Sequence, residues 1–278
     1  MESAGMESDN VSGNETAARV SPAGGVAADP AFARNRRFYD PLWAAARLVP
    51  PESFNTWPLV RDVLPPEGVP RLEIGPGLRP RLPLAGSDFL DASPAAVAVL
   101  RAAGGRAVQG SAAALPYRAG GFGLIAALDV IEHVTDDAAA FAELARVAAP
   151  GAALLLSVPL DPTRWSRFDD AVGHCRRYRI DALGAVLAQH GWEVEASAGF
   201  GLRPRWPALV ALGMWVLAHQ PRRAMWWYNR ILPGTLRRQP PLAPVPGLAV
   251  PGRRTDEVLL LARMSVKPDR THAPLVKN

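Results

Sequence analysis

Cysteine is almost missing from this chain, and lysine nearly so. The single cysteine, Cys175, excludes an internal disulfide framework and a cysteine-built zinc site. It fits a reducing compartment, so a cytoplasmic location is expected. Only Lys267 and Lys277 stand among the 31 basic residues, so the net charge of +5 is carried by arginine. In an Ala- and Pro-rich chain that bias also fits a GC-rich genome, and neither a zinc-finger spacing nor an aromatic RNA-binding run accompanies it. A nucleic-acid partner is therefore disfavoured. Long apolar runs are missing too: Trp206 to Pro221 is uncharged but short of the ~20 apolar residues that span a bilayer. No basic segment leading into an apolar one stands at the N-terminus, so no secretory signal is expected.

What is present is the material of a globular protein. With 49% hydrophobic and 21% charged residues in 278, the chain suits one sizeable α/β domain with appendages. Residues 1–33 are rich in Gly, Ser, Ala and acids without apolar periodicity, which predicts a disordered tail; residues 267–278 are read as a second tail. Residues 34–64 place Phe38, Tyr39, Leu42, Trp43, Leu48 and Trp57 at helical spacing, broken at Pro50-Pro51, and read as a helical lid. The main domain is expected at 65–266.

Within it, strand and helix patterns alternate. Strands are predicted at 71–74, 88–90, 107–109, 123–128, 152–158, 192–196 and 257–264. Ser93-Pro94 is a helix start, Thr135 or Asp136 caps a second helix with its apolar face on Ala140, Phe141, Leu144 and Val147, and Asp181 to His190 is a third. The expected fold is α/β: a Rossmann-like, seven-stranded, mostly parallel sheet with helices on both faces. A helical, Arg- and Trp-rich cap, 199–254, is inserted before the last strand.

The strongest local signal is Leu72-Glu73-Ile74-Gly75-Pro76-Gly77 ending the first strand. Its glycines let a ligand approach the backbone, and Asp91, closing the second strand, is placed to accept hydrogen bonds from ribose hydroxyls. A plain tight turn would leave the same glycines. Pro80 and Pro83 shorten or remove the helix that would follow, which disfavours pyrophosphate anchoring and hence a dinucleotide.

Three further elements stand in order: Gly110 to Tyr117 with Gly121-Phe122-Gly123-Leu124-Ile125; Leu128-Asp129-Val130-Ile131-Glu132-His133-Val134; and Glu143-Leu144-Ala145-Arg146-Val147 leading to Pro150-Gly151. Together with the first, they resemble the class I S-adenosylmethionine-dependent methyltransferases, in the branch with an E-I-G-P-G motif. The resemblance covers 70–200. It implies a methyl transferase with S-adenosyl-L-methionine as cofactor: Glu73, Gly75 and Gly77 at the methionine end, Asp91 on the ribose, Ser111 and Ala112 flanking the adenine, and Asp129 facing the amino acid or the acceptor. Three residues depart from the pattern. Ser111 replaces an acid, Gly123 replaces an Asp, and Arg79 stands where a third glycine is common; the serine can still accept a hydrogen bond.

Methyl transfer is an in-line displacement that gains from holding donor and acceptor together, with a base needed only when the acceptor loses a proton. His133 is the candidate base, though a loop histidine bonded to backbone fits equally. Glu132 is read as a structural or cofactor-side acid. His174, Arg176, Arg177 and Tyr178 follow the fifth strand near the expected acceptor; they could hold a carboxylate or phosphate, or anchor the next helix through Asp169 and Asp170. No metal site is expected.

The cap holds nine Arg, no acid and four of the eight Trp. It could pack on the core, clasp an apolar substrate or lie at a membrane surface, making the protein peripheral. The expected acceptor is a small or lipid-like molecule. Rival readings are a non-catalytic binding protein of the same fold and a nicotinamide-dependent oxidoreductase.

Overall fold

The computed structural model describes residues 30–202, 212–213, 215–216, 219–249 and 255–266. Most of the two expected tails, and residues 206–211, 214, 217 and 218 of the uncharged stretch, lie outside the described residues. The lid begins earlier than expected: helix α1 spans Pro30–Ala45, with Pro41 inside it, and α2 spans Trp57–Val63 beyond the Pro50-Pro51 break.

Strands β1 (Arg71–Ile74), β2 (Ser87–Asp91), β3 (Arg106–Gln109), β4 (Phe122–Leu128) and β5 (Ala148–Pro159) form a parallel set in the order β3-β2-β1-β4-β5. β6 (Trp192–Leu202) and β8 (Thr255–Met264) complete it, with β8 inserted antiparallel between β5 and β6. The eighth strand, β7, is only Val245–Pro246 on the outer edge of β6. The prolines around it in 239–246 cannot donate to a ladder, which is why the segment predicts no strand and why it sits on an edge.

Alternation along the central strands explains the layering. In β4, Leu124 and Ala126 join one apolar cluster with Val60 of α2 and with Val97 and Leu100 of α3 (Pro94–Ala102). Ile125 and Ala127 join the other, with Phe141 and Leu144 of α4 (Asp137–Val147) and with Leu183 and Leu187 of α6 (Ile180–Gln189), the short α5 (Arg167–Val172) lying between these two in the chain. Successive side chains on a strand point to opposite faces, so a strand apolar throughout must be covered on both.

Local chemistry sets the helix ends. Ser93 accepts from the N–H of Ala96 and Asp136 from that of Ala139, the interactions that make these residues good caps. β5 starts sooner than expected, directly after α4. Its register against β4 slips between Phe122 and Leu124, and Pro150 and Gly151 (φ 75°) are absorbed in that irregularity.

Between β1 and β2, residues 75–86 form no helix. A third apolar cluster lies above this stretch, where Leu42 and Trp43 of α1 meet Leu78, Ala96 and Met225. Met225 belongs to α7 (Pro221–Arg230), one of the described helices of the cap. Asn229 of the same helix accepts from the N–H of Arg47 and donates to the carbonyl of Ala45. Lid and cap thus close together over the carboxyl end of the sheet.

Gly75 has φ +65°, and a Cβ built on it would stand 2.5 Å from Val130 Cγ2. We expect Gly75→Ala to lower unfolding stability by about 1–3 kcal/mol through backbone strain and this clash. Adding Val130→Ala should restore part of the loss, as read by urea unfolding of both variants.

Candidate active site

A cavity of about 770 Å³ opens at the carboxyl ends of β1, β2 and β4, beneath α1. This is where open α/β sheets place ligands, because the strand order reverses direction beside β1.

Two buried carboxylates shape its floor. Glu73 accepts from the N–H of Arg81 (2.9 and 3.0 Å) and of Leu82 (2.8 Å), which folds the loop back onto β1. Asp91 accepts from the N–H of Gly77 and of Ser93, both at 2.8 Å. Burial pushes Glu73 up to about 7 and Asp91 up to about 6, against the pull of these amides. Each carboxylate can take further donors, having about four lone-pair sites.

Glu73, Gly75, Asp91, Ser111, Ala112 and Asp129 all line the cavity. Gly77 does not: its open Cα face lies under the Trp43 indole, so its part is to donate to Asp91 and to let α1 approach. Gly123, where an acid was expected by resemblance, lies under Val69 and off the cavity wall. Asp129 holds a left-handed φ of 56° and accepts from the Ser157 hydroxyl at 2.6 Å. Left-handed backbone in a residue with a side chain is a strained conformation that concentrates at sites of function.

The loop carrying Ser111 and Ala112 is held from below. Glu143 of α4 accepts from the N–H of Leu115, and Arg146 donates to the carbonyls of Leu115 and Tyr117.

Of the four residues read as substrate contacts, only His174 reaches the cavity. Arg177 is buried in a pair with Asp169 (2.8 and 3.1 Å) and also reaches Asp256 (3.2 Å). Arg176 is taken by Asp137 and by the carbonyl of Thr135, and the Tyr178 hydroxyl donates to Asp137 at 2.8 Å. These three side chains anchor the segment between β5 and α6. Asp169 was legible as an alternative partner of the arginines, whereas Asp170, read beside it, accepts from the Trp165 indole N–H instead, and Asp137 and Asp256 were not foreseen.

His133 lines the cavity, its Nδ1 3.3 Å from the carbonyl of Gly173 and its ring edge-on to Tyr39 and His174. Burial and the neighbouring His174 push it down to about 3, so the ring is neutral and a weak base. Glu132 lies beside it, also on the wall. Asp129, Glu132 and Glu257 are each raised above the usual carboxylate range, chiefly by burial and then, for Glu132 and Glu257, by the charge on Asp129.

Several wall residues were missed from sequence, among them Tyr39, Trp43, Arg79 and Arg81. Tyr39 and Trp43 stack on each other along α1, and Arg79 lies between the rings of Trp43 and Tyr228, bonding the Tyr228 hydroxyl. Arg81 stacks 3.6 Å over Phe54, its Nε without a hydrogen-bond partner. Burial lowers Arg81 to about 10, leaving it a cation at neutral pH. The sequence signal for Tyr39 and Trp43 was their helical spacing in the lid, and for the two arginines their place on either side of Pro80 in a stretch with no helix to hold.

Residues 82–156 match the family described as "Methyltransferase domain". Among solved structures, one described as a candidate sarcosine dimethylglycine methyltransferase from Galdieria sulphuraria is 15% identical, covering 86% of this chain and 99% of its own, with a TM-score of 0.54. A possible histamine N-methyltransferase from Thermotoga maritima is also 15% identical, covering 82% and 90%, with a TM-score of 0.50. The [4+2]-cyclase SpnF is 21% identical, covering 76% and 80%, with the same TM-score. No curated protein matches in sequence. A cyclase on the same fold means that the fold alone does not fix the reaction.

We expect Asp169→Ala to cost about 3–5 kcal/mol in unfolding stability, because it leaves Arg177 buried without its main partner. Asp181→Ala, in the exposed pair with Arg179, should leave the melting midpoint unchanged.

Proposed function

From a methyltransferase domain on the class I S-adenosylmethionine-dependent fold, we propose that this chain binds S-adenosyl-L-methionine in the β1/β2/β4 cavity and transfers its methyl group to a small or lipid-like acceptor. The observation that carries the reading is Asp91. Its carboxylate is fixed by two backbone amides at the end of β2, on the wall of the cavity and beside the glycine turn. That is the placement a ribose diol requires.

The residues present fit the cofactor. Gly75 leaves a wall with no Cβ, Asp91 offers free lone pairs to two hydroxyls, and Ser111 with Ala112 closes the far side of β2 for a flat base. The half-buried Arg81 and the paired Arg79 bring positive charge to the β1 turn, suited to a carboxylate. No helix N-terminus points at the cavity from this turn, so the backbone-amide anchor of a dinucleotide pyrophosphate is missing there. When bound, S-adenosyl-L-methionine supplies a methyl group on a sulfonium, ready for in-line displacement.

The chain's own part is positioning. Tyr39, Trp43 and Phe54 roof the cavity, while Phe168, Phe200 and Leu242 give it apolar sides. An apolar or amphiphilic acceptor would be desolvated there and held against the donor, the condition under which proximity lowers a barrier. His133, neutral and weakly basic, serves better as a wall and hydrogen-bond acceptor than as the proton acceptor expected from sequence. Among the described residues no helix is long and apolar enough to cross a membrane. Trp226 and Trp227 are exposed on α7 next to Arg222 and Arg223, which supports peripheral contact with a lipid surface.

Isothermal titration with S-adenosylhomocysteine should give saturable micromolar binding, and NADH none. Asp91→Ala is expected to weaken the former by about 1.5–3 kcal/mol through the lost charge-assisted hydrogen bonds. Unchanged affinity in that variant, or binding of NADH alone, would refute the assignment.

A further inference from the structure

We propose that Glu132, His133 and His174 form a binding site for a divalent transition-metal ion, with an open coordination position facing the cavity. One ligand atom from each of the three residues lies within 4.8 Å of the others, and all three line the cavity wall.

The hydrogen bonds around the two imidazoles settle which atoms are free. His174 Nδ1 is 2.8 Å from Asp169 Oδ1, and a carboxylate can only accept, so Nδ1 carries the proton. His133 Nδ1 is 3.3 Å from the carbonyl of Gly173, which likewise only accepts. Both rings therefore turn an unprotonated Nε2 elsewhere. That of His174 faces Glu132 Oε1 at 3.9 Å, and Glu132 Oε2 is buried with no hydrogen-bond partner.

The cluster sets the free lone pair of His174 against the Glu132 carboxyl, which burial inclines to hold a proton, yet at 3.9 Å the two are beyond hydrogen-bond reach, and His133 brings a further ring nitrogen within 4.8 Å of both. Glu132 is 1% exposed, so its carboxyl has little access to water. An ion of charge two would satisfy all three. The supporting contacts are those of metal sites: a ligating histidine donates its other ring N–H to a carboxylate or a backbone carbonyl, which fixes the tautomer. Asp169 in turn is held by Arg177 and by the N–H and hydroxyl of Ser166.

Two nitrogens and a carboxylate suit Zn²⁺, Co²⁺ or Mn²⁺ better than the all-oxygen preference of Mg²⁺ or Ca²⁺. Three protein ligands leave room for a fourth from the cavity, the pattern of sites that act on a bound molecule rather than brace a fold. An oxygen of the acceptor would take that position; this last step rests on the methyl-transfer reading, whereas the binding of the ion does not. An organic ammonium would need carboxylate or carbonyl acceptors arranged around it and gains less from imidazole lone pairs, which is why the ion is preferred.

The test uses the full chain freed of metal by chelation and dialysis, titrated with Co²⁺ alone and, separately, with Zn²⁺ by calorimetry. One equivalent is expected to bind, with visible d–d absorption for Co²⁺ and paramagnetic shifts of the His133 and His174 ring resonances. His133→Ala and His174→Ala should lose saturable binding, while His219→Ala, an exposed histidine of the cap, retains it. The ring shifts of the unsubstituted protein decide the matter if either variant fails to fold. Absence of saturable binding by the unsubstituted protein, or binding that shifts other histidines instead, overturns the site. S-adenosylhomocysteine titrated into the same metal-free sample keeps the two readings apart, since its binding does not require the ion.

Discussion

The lack of a helix after β1 is the constraint on which the rest of this structure depends. In a doubly wound sheet that helix usually fixes the glycine turn, and here Pro80 and Pro83 stand in its place. The turn is held by side chains instead. Glu73 gathers the amides of Arg81 and Leu82, and Asp91 gathers those of Gly77 and Ser93. Two carboxylates are thereby buried, at a cost that their raised pKa values register and their charge-assisted bonds offset. The same bonds leave the turn open on its upper side, where Trp43 and Arg79 settle against it.

That opening explains how lid and cap come to share one cluster. Trp43 lies on Gly77, Met225 joins it from α7, and Arg79 is held between two aromatic faces. A cation between Trp and Tyr rings gains from both quadrupoles while keeping its charge near the cavity. Binding and roofing are therefore coupled: a ligand entering the turn must be accommodated by α1, and α1 by α7.

Much of the sheet was legible from sequence because its signals are local. The alternating apolar strands, the Ser93-Pro94 start and the Asp136 cap are each decided within a few residues, and all stand near where they were expected. β7 was not legible, because a two-residue proline-bearing edge has no pattern of its own. Among the cavity-lining residues, Gly75 and Asp91 could be picked out at strand ends, whereas Glu73, Ser111, Ala112 and Asp129 were assigned through the resemblance to the family's motifs. What the sequence withheld was pairing at a distance. Whether Arg177 faced a ligand or Asp169, and whether Gly77 faced a cavity or an indole, depends on elements far apart in the chain. The convergence of His133 and His174 beside Glu132 is of the same kind: forty-one residues separate the two histidines, and each was read by itself, His133 as a candidate base and His174 as a substrate contact.

The measurement that tests the central claim most directly is a crystal structure of the full chain grown with S-adenosylhomocysteine. The account predicts its ribose hydroxyls on Asp91, its adenine beside Ser111 and Ala112, and its amino-acid end over the Gly75 turn. Density for the ligand elsewhere, with Asp91 still bonded only to Gly77 and Ser93, would contradict it.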